Sequence, residues 1–90
     1  MEAIKVHSRV HARHKEIADA EVLSAWRNAI ALVERRTEEK DFSVAIGFDE
    51  KGRLIEMVAS RDEDGMLLVL HAMTPPTKKA LEELGLMGRK

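Results

Sequence analysis

Residues 43–73 read SVAIGFDEKGRLIEMVASRDEDGMLLVLHAM, and this stretch decides the fold. It contains three apolar runs separated by two acidic turns, which end at Gly52 and Gly65. Glycine adopts the positive φ that tight turns require without steric cost. Two such turns between apolar runs predict an antiparallel meander. We expect its strands over residues 43–48, 53–60 and 66–73.

Alternation within these runs predicts which side chains are buried. In the middle strand, the even-numbered residues from Leu54 to Ser60 share one face, and Ile55, Met57 and Ala59 share the other. The last strand is apolar nearly throughout, which is typical of a central strand covered on both faces.

A short helix is predicted after the meander. Thr74 is the expected cap, and Pro75 suits the first helical position because its missing N–H is not needed there. The helix is expected over residues 78–84 and ends at Gly85, a residue typical of the position after a helix.

The N-terminal segment alternates strictly. From Lys5 to Arg13 every second residue is basic or titratable, and the residues between are small or apolar. Because side chains on a strand change face with a period of two, we expect a strand over about residues 3–10 with the charges on one face. The charged face predicts contact with an anion such as phosphate. The alternative is an ordinary solvated strand face.

Three histidines in this segment, His7, His11 and His14, also have helical spacing. A zinc site is not expected, because Arg9 and Arg13 stand between them and oppose a cation. We therefore predict no metal and no cofactor.

The next element is a helix capped by Asp19, with Glu21 in its first turn. Its apolar stripe starts at Val22 and Trp26. Periodicity would carry the helix to about Arg36, but residues 30–33 also suit the start of a strand, so its end stays open.

The element order predicts an α+β fold of two layers. Helices pack on an antiparallel sheet made of a three- to four-stranded meander and the N-terminal strand. At 90 residues, the chain is expected to be a single domain, residues 1–90.

Composition narrows the classes of protein. With 44% hydrophobic and 34% charged residues, a soluble globular domain is expected. The absence of cysteine excludes disulfides and fits a reducing cytoplasm. Apolar runs such as 66–70 are far shorter than the ~20 residues of a membrane-spanning helix, so no membrane association is expected. Neither a Gly-rich phosphate loop nor a Gly-x-Ser-x-Gly motif occurs.

His71 is the most interesting histidine, because it lies near the end of the last predicted strand, just before a helix. Such a residue is either a hydrogen-bonded structural histidine or a titratable group at a site. The pairs Arg35–Arg36 and Lys78–Lys79 are typical of solvated faces, though either could extend a track of phosphate contacts.

Several short motifs resemble one family. RVHARH (9–14), EV (21–22) and AWRN (25–28), together with VAIGF (44–48), GRLIEMV (52–58) and LHAM (70–73), resemble the BrnT-type branch of the RelE-like toxins. The chain departs from the family where it has HAM (71–73) instead of Ser-Ala-Arg and NA (28–29) instead of Asn-Pro. The resemblance implies a helix that ends near Asn28, followed by a strand over about residues 31–36.

The resemblance also implies a function. Such proteins are toxins of type II toxin–antitoxin systems that cleave RNA and pair with an antitoxin, so the expected partners are RNA and a cognate antitoxin, with a homo-oligomer as a further option. The alternative is a non-catalytic dimeric binding module or regulator that keeps the fold without the nuclease chemistry.

Metal-free RNA cleavage requires a base, an acid and cations around the phosphate. His11 or His71 could serve as base or acid. Glu56 is an alternative base, unless its alternating position simply places it on the solvated face of the sheet. Arginines would clamp the phosphate and lysines would extend RNA binding. The predicted catalytic residues are His11, Arg13, Glu56, Arg61 and His71, and the predicted RNA-binding residues are Lys5, Arg9, Arg13, Lys78 and Lys79.

Overall fold

The computed structural model of the protein describes residues 4–86, which form five strands and three helices. Among these residues no helix has the length and apolar character needed to cross a membrane. In chain order the elements are β1 (Ile4–Val6), α1 (Ser8–Arg13), α2 (Asp19–Arg27), β2 (Ala29–Arg36), β3 (Asp41–Phe48), β4 (Leu54–Arg61), β5 (Leu67–Met73) and α3 (Lys78–Glu83).

The strands form one mixed sheet in the order β1-β5-β4-β3-β2. From β2 to β5 each strand pairs antiparallel with the next, which confirms the predicted meander and adds β2 to it. β1 joins parallel to β5, with Ile4 opposite Leu67. The turns contain Gly52 at φ 79° and Gly65 at φ 82°, as their positions predicted. The predicted α+β fold, with helices packed on a sheet, is confirmed.

One face of the sheet carries the apolar core. Ile55, Met57 and Ala59 of β4 are fully buried there, in agreement with the predicted alternation. A Cβ atom at Gly47 would collide with the carbonyl oxygen of Ala25, so the glycine allows α2 to approach β3 closely. The buried residues that α1, α2 and the segment between them add to this core are Val10, Ile17, Val22 and Ala25.

The N-terminal segment differs from its prediction. β1 ends at Val6 and residues 8–13 form α1, so a strand over 3–10 is wrong, and residue 3 lies outside the described residues. His7 caps α1, because its Nδ1 accepts a hydrogen bond from the backbone N–H of Arg9 at 3.1 Å. The helix buries Val10 to 2% exposure while its basic side chains remain at the surface. The charges therefore do not share one strand face.

The start and end of α2 are now defined. The cap is Ala18, so the assignment of Asp19 as the cap is wrong by one residue. Glu21 explains the shift, because its carboxylate accepts the backbone N–H of Ala18 at 2.8 Å. The helix ends at Arg27 and a strand follows, which settles the open alternative in favour of β2.

Helix α3 lies against the opposite face of the sheet, where Ala80 is buried beside Val44 and Val58. The helix begins at Lys78, so the predicted entry at Thr74 and Pro75 is wrong. The hydroxyl of Thr74 donates instead to the carbonyl of Leu54 at 2.6 Å. The cap is Thr77, whose hydroxyl oxygen accepts the N–H of Ala80 at 3.1 Å. Gly85, at φ 72°, follows the helix as predicted.

Candidate functional site

The face that carries α3 also carries a contact between Glu56 and His71. Glu56 lies on β4 and His71 on β5, and His71 Nε2 is 2.7 Å from Glu56 Oε2. A bulge in β5 makes the contact possible, because the register moves from Ala59 opposite Val69 to Val58 opposite His71. Leu70 is the extra residue, and it turns His71 onto the face of Glu56 instead of into the core. We call this pair the Glu56–His71 dyad.

Glu56 is fixed in its position by three hydrogen bonds. It is 7% exposed, and its Oε1 accepts both the backbone N–H of Thr77 at 2.8 Å and the Thr77 hydroxyl at 2.9 Å. Its Oε2 is the atom that meets His71. A buried carboxylate with both oxygens engaged can hold an imidazole in one orientation. The suggestion that Glu56 lies on a solvated sheet face is wrong.

His71 is accessible, with 33% of its side chain exposed. Its Nδ1 has no hydrogen-bond partner within residues 4–86. Beside it stands His14, with the two ring centroids 6.2 Å apart and the ring planes at 87°. His14 Nδ1 in turn is 3.6 Å from the carboxylate of Glu16. Two histidines, each beside a carboxylate, thus lie next to each other at the surface.

Sequence reasoning gave His14 no catalytic role. The residue was visible only as the end of a basic block, and the assumed strand stopped before it. Because α1 shortens that part of the chain and ends at Arg13, His14 reaches the exposed end of β5.

A cavity of about 230 Å³ adjoins the dyad. Arg35 of β2 reaches it from one side, and Lys79 and Glu83 of α3 from the other. Arg35 Nε lies 3.2 Å from Glu83 Oε2 and Arg35 Nη2 lies 2.5 Å from Glu83 Oε1, so the contact is bidentate. Hydrogen bonding in this pair raises the pKa of Arg35 and lowers the pKa of Glu83. Two cations and two carboxylates therefore meet around His71.

The other predicted residues of the N-terminal segment are spread around α1. Arg9 lies nearest to the dyad, since its Nε donates to the carbonyl of Leu70 at 3.0 Å. His11 Nδ1 is 3.1 Å from the carbonyl oxygen of Ile17, and the ring lines a separate cavity. Lys5 and Arg13 are exposed, on β1 and at the end of α1.

Arg61 and the two lysines of α3 complete the predicted set. Arg61 ends β4 and donates to the carbonyl of Gly65 at 2.9 Å. It is five residues from Glu56, which corresponds to about 17 Å along a strand. Lys78 and Lys79 are exposed in the first turn of α3, and Lys79 lines the cavity beside the dyad. The structure thus brings together Glu56, His71 and Lys79, with Arg9 close by.

A second ionic cluster joins α2 to the first turn of the meander. Lys51 Nζ is 2.8 Å from one carboxylate oxygen of Glu21, and Arg53 Nη2 is 2.9 Å from the other. Arg53 also donates to the buried Asp49 at 2.8 Å. The bond from Lys51, followed by the bond from the Ala18 N–H, lowers the pKa of Glu21 from 4.5 to about 2. Every charge here has a partner, so this cluster has a structural role.

Within residues 4–86, no group of three or more His, Cys, Asp or Glu side chains is arranged so that it could hold a metal ion. The chain matches no protein-family model, and comparison with curated proteins and with solved structures also gives no match.

Proposed function

We propose that the protein is the toxin of a type II toxin–antitoxin system and acts as a metal-independent endoribonuclease. The observation that carries the nuclease part is the Glu56–His71 dyad, an accessible imidazole held by a buried carboxylate 2.7 Å away. The toxin part rests on the motif resemblance.

In this proposal His71 is the general base. Its Nε2–H donates to Glu56, which leaves Nδ1 unprotonated and free to accept the proton of a ribose 2′-hydroxyl. The 2′-oxygen then attacks the adjacent phosphorus, and the bond from phosphorus to the 5′-oxygen breaks. The products are a 2′,3′-cyclic phosphate and a 5′-hydroxyl end.

His14 is the best placed candidate for the general acid. Its ring is 6.2 Å from that of His71, and its Nδ1 is 3.6 Å from the carboxylate of Glu16. Protonated His14 would give its proton to the departing 5′-oxygen. Lys79 and Arg9 are the nearest predicted cations that could offset the charge of the pentacoordinate phosphorus.

A cleavage assay tests the nuclease proposal. Purified protein is incubated with end-labelled single-stranded RNA in excess EDTA, and the product ends are identified. We expect cleavage with cyclic phosphate ends, a loss of at least about 100-fold for His71→Ala and a comparable loss for Glu56→Gln. His7→Asn is the matched control, because it removes an imidazole elsewhere and keeps an acceptor at the cap of α1.

Three results would contradict the proposal: no cleavage by folded wild-type protein, cleavage that requires a divalent metal, or full activity of His71→Ala. Thermal unfolding of each variant establishes that a lost activity is not lost folding.

An antitoxin needs a surface to bind, and the edge strand β2 is the best candidate. Within residues 4–86, β2 pairs only with β3, and Ile30 and Leu32 are 53% and 51% exposed on it. An extended segment of the antitoxin could add to this edge and cover both side chains. Co-expression with the neighbouring small reading frame tests this: Leu32→Lys should prevent co-purification and leave RNA cleavage intact.

The same edge favours the second candidate function, a non-catalytic binding module. In that case Leu32→Lys would abolish partner binding, and neither the wild type nor any variant would cleave RNA. The two functions are separated by the EDTA cleavage assay, since only the first requires His71.

A further inference from the structure

Arg35 has a position in the site that the proposed chemistry has not used. It projects from β2 into the same cavity as Glu56 and His71, so a ligand bound by its guanidinium would lie next to the dyad. Its two engaged nitrogens, Nε and Nη2, form the fork that binds carboxylate and phosphate oxygens in pairs. In the protein alone, that fork holds the carboxylate of Glu83.

We propose that Arg35 binds a phosphate of the RNA backbone and that Glu83 occupies the phosphate position until RNA displaces it. This inference rests on the proposed function and specifies how the substrate is held there. Glu83 presents two oxygens to the guanidinium in the geometry that a phosphodiester would present. In the protein without RNA, Glu83 thus occupies the position that the phosphate would take, and its negative charge neutralises the guanidinium of Arg35.

The pair is placed so that an anion can compete for it. The Arg35 side chain is 45% exposed and that of Glu83 is 26% exposed, so water reaches both partners. Exposed ion pairs add little to stability, because solvent screens them and their side chains lose entropy. Glu83 is also the last residue of a six-residue helix, which leaves its side chain free to turn towards solvent.

Lys79 strengthens the same conclusion. It lies one helical turn before Glu83 on α3 and lines the cavity with Arg35. Once Glu83 turns away, Arg35 and Lys79 remain at the rim of the cavity, and no carboxylate of α3 is bonded to the guanidinium. Glu82 lines a neighbouring cavity with both cations but makes no bond to Arg35. Glu56 does not compete, because Thr77 and His71 occupy its oxygens.

The test measures binding of a short 2′-O-methyl RNA, which lacks the nucleophilic hydroxyl and cannot be cleaved. Glu83→Gln should bind it about two- to fivefold more tightly than the wild type, the factor that corresponds to one exposed ion pair. Glu82→Gln is the matched control, since it removes the same charge one residue away and makes no bond to Arg35. The gain in RNA affinity of Glu82→Gln should be clearly smaller than that of Glu83→Gln.

The double variant Arg35→Gln/Glu83→Gln should lose the gain and bind no better than the wild type. The salt dependence of Glu83→Gln should be steeper than that of the wild type by up to about 0.7 in log affinity against log salt, the share of one phosphate contact on a single strand.

Equal affinities of Glu83→Gln and Glu82→Gln, or a gain that survives loss of Arg35, would overturn this inference even if the wild type cleaves RNA. Absence of binding by every folded variant would overturn it as well. If binding follows the expected order but wild-type protein does not cleave RNA in EDTA, the phosphate site stands and the nuclease proposal fails.

Discussion

The meander (residues 41–73) and the N-terminal segment (residues 4–17) both have alternating sequences, but alternation predicts the structure of the first better than that of the second. Both alternate with a period of two, yet the meander forms strands and most of the N-terminal segment forms a helix. In the meander, glycine turns and a buried apolar side fix the register. In the N-terminal segment, only Val10 and Ile17 are buried, and no turn residue marks a boundary. Alternation therefore specifies a strand only where turns and a buried face also fix its pairing with neighbouring strands.

The largest effect that tests this comparison is expected in the middle of the meander. Met57 is fully buried in the main core, so Met57→Ala should lower the free energy of unfolding by about 2–5 kcal/mol. Met66→Ala is the control, because Met66 has the same side chain but lies half-buried in the turn before β5. Denaturant titration should show a much smaller loss of unfolding free energy for Met66→Ala. Equal losses for the two variants would mean that the core side of the meander does not dominate the stability of the fold.

Proline substitution tests the N-terminal segment directly. Ala12→Pro removes an N–H from the interior of α1 and should cost about 3 kcal/mol. Ser8→Pro should cost little, because Ser8 is the first residue of α1 and His7 before it has φ −66° and ψ 141°. Denaturant unfolding of both variants decides between helix and strand. A larger cost for Ser8→Pro than for Ala12→Pro would support the strand over residues 3–10 that alternation predicted, because that strand contains Ser8 and not Ala12.

Physical reasons explain which parts of the fold could be predicted. The spacing of Val6 and Val10 is four residues, which satisfies a period of two and also one turn of a helix. Sequence alone therefore could not exclude α1. The cap at Thr77 was missed for a different reason, because the hydroxyl of Thr74 is used by Leu54, a partner far away in sequence.

The site was predictable only in part. Glu56 and His71 were singled out separately, from alternation and from a strand end. Their contact depends on the bulge at Leu70, which no local residue preference indicates. Arg35 and His14 could be named from the sequence but not placed beside the dyad, because each reaches the site through the tertiary positions of β2 and α1.

A smaller effect is expected where ion pairs join the meander to α2, the helix that follows the N-terminal segment. The pKa of Glu21 is lowered to about 2 in the folded protein, because Lys51 and the Ala18 N–H bind its carboxylate. A lowered pKa contributes stability that is complete above the ordinary value of 4.5 and is lost as pH falls towards 2. Glu21→Gln should therefore reduce the loss of stability between these pH values.

Denaturant titrations at several pH values between 6 and 2 measure that dependence. Glu63→Gln, in the exposed turn before β5, is the control and should leave the acid dependence unchanged. An acid dependence of Glu21→Gln identical to that of the wild type would mean that this cluster does not couple α2 to the meander.

The smallest effect is expected from the exposed cations of the N-terminal segment. If Lys5, Arg9 and Arg13 each contact a phosphate of single-stranded RNA, log affinity should fall with log salt with a slope of about −2, at ~0.7 per phosphate. Arg13→Ala should flatten the slope by about 0.7 and weaken binding of all sequences alike. Arg27→Ala, an exposed arginine at the end of α2, is the control. An unchanged slope for Arg13→Ala would mean that the basic block is only the solvated face of α1, and RNA would then be held by the cavity beside the dyad alone.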